Sequence, residues 1–410
     1  MWQVLWPEQW PGVPAPLSFS TMRAIETCPL QWSLSRARYP TIWGRKGYPD
    51  RAYTGTLVGQ VMHQALERLT QQVVAAAKGN EQSSVVSIVR TLGGYTAILE
   101  RESNRVAVNA LENPRVASGG RDVHEELCQR LPAMRLQLQM FVRSALRTPI
   151  AGESKPARTY TSPIAQRMVQ SGLNAEVEMR DAGGMWRGTA DLIRVEEHGV
   201  EIIDFKTGVA KDEHALQLRL YARLFLEDRI VNPAHLPVTK LTLIYADREV
   251  ELEVPSGAGM LALASEFDGR ANQAQQKVTS MPPEARPSPE ACGFCSVRHM
   301  CPSYWSPAGQ ALAGVSAKRE GLVDAEVRLH ERTAQTTWKA SVAFCGGLAN
   351  GASALVRCPR ENESLASTVA ELVRGRVLSA QLIQPTEDSG ELPVLNMTRA
   401  SEVFVLEGRP

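Results

Sequence analysis

No stretch of this sequence approaches the run of about 20 apolar residues that a membrane-spanning helix requires. Its longest uncharged segments, residues 9–22 and 340–356, are interrupted by Pro11, Pro14 and Pro16 and by Gly346, Gly347 and Gly351. No membrane partner is expected. The N-terminus, MWQVLWPEQW, lacks the basic start and apolar centre of a secretory signal. Net charge is nearly absent: 45 Lys+Arg against 44 Asp+Glu leave +1. A nucleic-acid partner would therefore be gripped by local patches rather than by overall charge. There is no internal repeat at solenoid spacing. There is no G-x4-G-K-[ST] either, so the chain carries no P-loop motor. With 43% hydrophobic and 22% charged residues, wholesale disorder is excluded. Seven cysteines, an odd number without a signal, suit a reducing, cytoplasmic setting, where clustered cysteines more often hold metal than pair.

What is present reads as a mixed α/β chain followed by an all-β segment. Residues 18–36 give a capped helix start and a second helix entered through Cys28-Pro29. Residues 54–77 form a helix with Val58, Met62, Leu66 and Leu69 on its apolar face, and helical texture continues to about residue 146. Short apolar or alternating runs at 174–180, 186–196 and 200–206, separated by AGG and EEHG turns, predict antiparallel strands. A helix at 212–228 and a strand at 239–246 follow. A Pro-rich connector at 281–290 leads to CGFCSVRHMCPSYW, and from about 320 short strands with one helix near 363–373 suggest a small barrel.

The most informative segment is 187–208, RGTADLIRVEEHGVEIIDFKTG. Residues two apart on a strand share a face, so Asp204 and Lys206 project together and Phe205 points oppositely, into a core. A hairpin would bring Asp191, near the end of the preceding strand, alongside Asp204. Two carboxylates at one spot repel unless a cation sits between them, and oxygen ligands suit Mg²⁺ or Mn²⁺. A lysine beside that cation can hold an attacking water or stabilise a developing anion. An ordinary surface ion pair is the competing explanation, but the apolar strand VEIIDFK makes an unpartnered Asp costly there.

These residues resemble the nuclease core of the PD-(D/E)XK superfamily, and its RecB-like, AddB-like branch in particular. G-x-x-D at Asp191 and I-I-D-F-K-T-G at Asp204 and Lys206 carry the likeness. Gln217 and Tyr221, in HALQLRLYARLF, match its QxxxY helix, and His63 after Gly59 matches its G-x-x-x-H helix. The resemblance implies a restriction-endonuclease-like mixed sheet flanked by helices, with a helical insertion at about 70–160. It implies catalysis by Asp191, Asp204, Lys206, Gln217 and Tyr221, with His63, Asp191 and Asp204 holding Mg²⁺ or Mn²⁺. Glu176 is similar in placement to the family's strand glutamate, and Glu178 on the same strand is its rival.

Cys292, Cys295 and Cys301 stand as C-x2-C-x5-C, one ligand short of four, and Cys28 is the upstream candidate. From spacing alone a four-cysteine zinc site is the generic expectation. One early cysteine plus a late C-x2-C-x5-C is, however, similar to the staple of RecB-like nucleases, which implies a 4Fe-4S cluster. Cys128, Cys345 and Cys358 have no ligand spacing and are expected as small buried residues.

Residues 316–410 resemble an OB-fold, which implies a groove for single-stranded nucleic acid with Trp338, Arg357, Arg374 and Arg376 as contacts. The segment's 11 Lys+Arg and 12 Asp+Glu give no basic excess. The divisions expected are thus a nuclease domain over 1–310 and an OB-like domain over 316–410. The implied activity is metal-dependent DNA hydrolysis, at single strands or ends, in repair, recombination or antiviral defence beside a separate helicase. A non-catalytic nucleic-acid-binding subunit on the same scaffold is the alternative.

Overall fold

Capping chemistry sets the first helices. Ser18 accepts from Thr21 N at 3.2 Å and opens α1 (Phe19–Thr27); Cys28 caps α2 (Pro29–Arg36), whose Pro29 fits the first helical turn. The computed structural model describes residues 2–45, 47–78, 84–117, 121–146, 167–309, 322–359, 363–386, 390–398 and 401–408. The long α3 (Thr54–Lys78) leads into α4 (Val85–Thr91), α5 (Gly94–Leu111), α6 (Pro114–Ala117), α7 (Val123–Cys128) and α8 (Leu131–Ala145). Helices fill the described part of the segment 70–160, and residues 79–83, 118–120 and 147–160 of it lie outside the described residues.

A two-residue strand, β1 (Trp2–Gln3), precedes all of these. The first sheet then comprises β2 (Gly172–Arg180), β3 (Arg187–Glu196), β4 (Gly199–Lys206), β5 (Val238–Tyr245) and β6 (Glu249–Leu252), in spatial order 2-3-4-5-6. The meander β2-β3-β4 is antiparallel, and β5 joins parallel to β4 after a crossover through α9 (Asp212–Glu227). Gly199 makes the β3–β4 turn possible: its φ is 154° and a Cβ there would lie 2.5 Å from Thr239 Cγ2. The helix α10 (Gly257–Gln276), with no expectation from the sequence, packs beside α1 and α9.

The sheet is covered on both faces, which is why β4 is buried through nearly all of its length. One face carries Ala190, Ile193, Val200, Ile202 and Leu241 against Leu218, Leu220, Leu224 and Phe225 of α9, with Met22 and Phe267 from α1 and α10. The other carries Leu192, Ile203, Phe205 and Ile244 against Val61, Leu66 and Leu69 of α3 and Phe141 of α8. Phe205 thus points into the core opposite Asp204, as the strand alternation requires.

The second sheet uses β7 (Leu322–Ala334), β8 (Thr337–Cys345), β9 (Ser353–Arg357), β10 (Leu372–Ile383), β11 (Val394–Asn396) and β12 (Glu402–Gly408), with the helix Glu363–Ala370 between β9 and β10. The order β7-β8-β9-β11-β10 closes through a β10–β7 pairing into a five-strand barrel. β12 adds to β10, and β1, from the opposite end of the chain, adds in parallel to β12. Buried ion pairs and a hydrogen bond tie this barrel to the segment after α11 (Pro289–Gly293) and to α6. Arg298 reaches Asp324 at 2.5 Å, Tyr304 OH donates to Asp324 at 2.8 Å, and Arg115 forks onto Glu402 at 2.6 and 3.0 Å.

Candidate active site

Sheet register gathers the acidic residues. Ala175 pairs with Leu192 and Leu192 with Ile203, so the next positions place Glu176, Asp191 and Asp204 in one row across β2, β3 and β4. Asp191 lies within β3 rather than at its end. Glu176 adopts a left-handed backbone with φ 50°, a conformation costing an ordinary residue roughly 1–3 kcal/mol. That twist separates it from Glu178, whose carboxylate pairs with Arg180 at 2.7 Å. Of the two rivals, Glu176 is the one in the electrostatic field of Asp204.

Around the row, each side chain is held. Phe205 N donates to Asp191 Oδ2 at 2.7 Å, and Lys206 Nζ lies 2.5 Å from Asp204 Oδ2. Lys206 Nζ also donates to Gln217 Oε1 at 2.8 Å, and Gln217 Nε2 donates to Tyr221 OH at 2.6 Å. Gln217 and Tyr221 stand one turn apart on α9, which is what aligns them with the end of β4. His63 reaches in from α3, its Nδ1 4.0 Å from Asp191 Oδ1, with its ring half-exposed. All six sequence-derived residues, His63, Asp191, Asp204, Lys206, Gln217 and Tyr221, therefore converge on one end of the sheet.

Carboxylates crowd one another at this end of the sheet. Burial first, then the Asp204 and Glu176 carboxylates, raise Asp191 well above the ordinary carboxylate value, against the pull of the Phe205 amide and Lys206. Partial desolvation, with Glu67 and Asp204, pushes Glu176 up to about 7. His63 is lowered, by desolvation and by Lys206, against Asp204; the neutral imidazole is the ligating form. Asp204 Oδ2 is buried without a geometrically sound hydrogen bond. Hard oxygen donors with one imidazole fit Mg²⁺ or Mn²⁺. As they stand, no three His, Cys, Asp or Glu side chains among the described residues close tightly enough on one point to ligate an ion.

The four cysteines converge elsewhere. Cys28, Cys292, Cys295 and Cys301 line a single pocket with Leu30, Leu34 and Tyr304, and all are free thiols. Burial, and the neighbouring sulfurs, raise the thiols of Cys292 and Cys301, and Cys295 is pushed up to about 12. Cys28 Sγ accepts from Arg286 N at 3.4 Å and Gln31 N at 3.5 Å. Four soft donors from separated segments, with amides aimed at sulfur, fit a thiolate-bound metal or cluster. Cys345 and Cys358 are buried in the barrel as expected, whereas Cys128 is half-buried at the end of α7 near His124.

The barrel candidates do not assemble into a groove. Trp338 is 1% exposed in the barrel core, so its faces are closed to a base; its place opposite Val356 in the β8–β9 pairing puts it inside. Arg376 is half-buried between Glu326, His299 O and the ring of Trp305. Arg374 also pairs with Glu326, and only Arg357 of the four is exposed on the outer face without such a pair among the described residues.

A mixed sheet that delivers two carboxylates, a lysine and a histidine to one open end is the architecture of a nuclease. The description "PD-(D/E)XK nuclease superfamily" matches residues 16–302, and the chain belongs to that superfamily. Its class of chemistry is phosphodiester hydrolysis. No curated protein matches the chain. A solved structure titled "Crystal structure of SSO0001" is 18% identical, covering 46% of this chain and 79% of that one, with a TM-score of 0.21, and bears on nothing further. Among the described residues, no helix is long and apolar enough to cross a membrane.

Sequence reasoning missed Glu67, which lies one turn beyond His63 on α3 and acts on Glu176. The His63-x3-Glu67 spacing was its only signal.

Proposed function

We propose that this chain is a Mg²⁺- or Mn²⁺-dependent deoxyribonuclease of RecB-like, AddB-like type. The observation that carries the reading is a line beside Asp191 in which Lys206 ion-pairs with Asp204 and donates to Gln217, whose amide in turn donates to Tyr221. A divalent cation held by Asp191 and Asp204, with His63 adjacent, supplies Lewis-acid polarisation of the phosphate and an activated water. Lys206, oriented by Gln217, donates a hydrogen bond to the attacking water or to the non-bridging oxygen that gains charge as phosphorus is attacked in line. Tyr221 fixes the Gln217 amide so that its oxygen faces the lysine. Asp191 is itself fixed by the Phe205 amide on one oxygen, and its other oxygen, beside His63, would be the one to hold the cation.

The cysteine centre is read as a 4Fe-4S staple that joins α2 to the segment after α11; zinc is the competing occupant. Metal analysis and a visible iron–sulfur band in anaerobically prepared protein support the first, and stoichiometric zinc without iron overturns it. The barrel is read as OB-like, from five closed strands with a helix between the third and fourth. Strand contact by Trp338 is withdrawn, because it is closed inside the barrel, while Arg374 and Arg376 would have to leave Glu326 to make one. Exonuclease-type action beside a separate helicase, in repair, recombination or antiviral defence, follows from the resemblance and from the missing P-loop. Assaying linear single- and double-stranded DNA, labelled at either end, with and without an added helicase, tests it. The alternative, a binding subunit with a dead site, is disfavoured because the whole line of active-site side chains is present.

A further inference from the structure

Beside the candidate active site runs a groove of about 340 Å³, lined by Ser18, Ser20, Arg187, Thr189, Gln217 and Tyr221. Its size falls at the lower end of ligand sites, roughly 300–1,000 Å³, which is room for a nucleotide-sized piece of one strand and not for a duplex. Gln217 and Tyr221 form its wall and also hold Lys206, so the groove opens directly onto the reacting end of β4. Gly188 keeps that wall in place: a Cβ there would lie 2.7 Å from Tyr221 Cε1. Besides Phe19 and Glu178, the lining side chains offer hydroxyl, amide and guanidinium groups. Arg187 and Thr189 are exposed, and Arg187 takes part in no ion pair among the described residues. Glu178, which brings a carboxylate to the lining, is neutralised by Arg180 at 2.7 Å.

We propose that this groove seats the sugar–phosphate backbone of a single nucleic-acid strand adjoining the bond under attack, with Arg187 on the neighbouring phosphate. The inference rests on the nuclease reading but is tested separately from it. Fluorescent single strands carrying one neutral methylphosphonate linkage, placed at successive positions, are bound to the full chain in calcium. In the wild type, one linkage position weakens binding about fivefold or more. Arg187→Ala weakens binding of the all-phosphate strand by the same factor and is insensitive to that linkage, while Arg187→Lys restores part of both. Equal effects of Arg187→Ala on every strand, or none, overturn the proposal. In magnesium the same variant raises KM and leaves kcat near wild type. Failure of the wild type to cleave anything would sink the nuclease reading, and the calcium binding series would still decide the groove.

Discussion

Gly188 and Tyr221 illustrate how much of the site depends on single atoms. Gly188→Ala introduces a methyl group into the Tyr221 ring, and overpacking of this kind costs about 1–3 kcal/mol. Urea denaturation should show that loss, and cleavage should fall further than stability, because the ring that moves also orients Gln217. Tyr221→Phe removes only the hydroxyl that receives the Gln217 amide. The fold should then be unchanged while kcat drops, in a steady-state assay on linear DNA. Asp204 and Lys206 were readable as a same-face pair because strand alternation is short-range, whereas Gln217 and Tyr221 were singled out by the resemblance, with their helical spacing only consistent with it. Glu67 and Gly188 were not, since their partners come from elements distant in the chain.

At the scale of elements, α2 and the turn after α11 meet through the four cysteines. Cys292→Ser should abolish the bound metal or cluster, read by elemental analysis and visible absorption, and lower the melting temperature by several degrees. A variant at Cys345, which lies in the barrel interior, should keep the full metal content. The C-x2-C-x5-C spacing singled out three of these cysteines and left Cys28 as the upstream candidate for a fourth, while the cluster itself was implied by the resemblance. Trp338 went the other way: an aromatic residue on a strand reads equally as a stacking platform or as core, and only the barrel's closure decides for core. The left-handed Glu176 had no sequence signal, because its place in the acidic row is set by the pairing of β2 with β3 rather than by its own neighbours.

Across the whole molecule, the barrel is fastened by charge as well as packing. Burial alone would raise the Asp324 and Glu402 carboxyls, but Arg298 and Arg115 hold both below the ordinary carboxylate value. Groups depressed in this way add stability that is complete above the ordinary carboxylate range and is lost as pH falls through their folded values. Acid titration of the melting temperature should therefore show a loss that Arg298→Met/Asp324→Leu reduces in part, the share of Glu402 remaining. Arg298→Met alone, which strands a buried carboxylate, should cost about 3–5 kcal/mol. This seam was invisible in sequence, since its partners, such as Arg115 and Glu402, lie far apart in the chain and share no motif.

The central claim is that Asp191, Asp204 and Lys206 form a working hydrolytic site. Cleavage of end-labelled single- and double-stranded DNA in Mg²⁺ or Mn²⁺, with wild type and Lys206→Ala side by side, tests it most directly. Cleavage by the wild type and none by the equally folded variant is the predicted result; undiminished cleavage by Lys206→Ala would contradict the account.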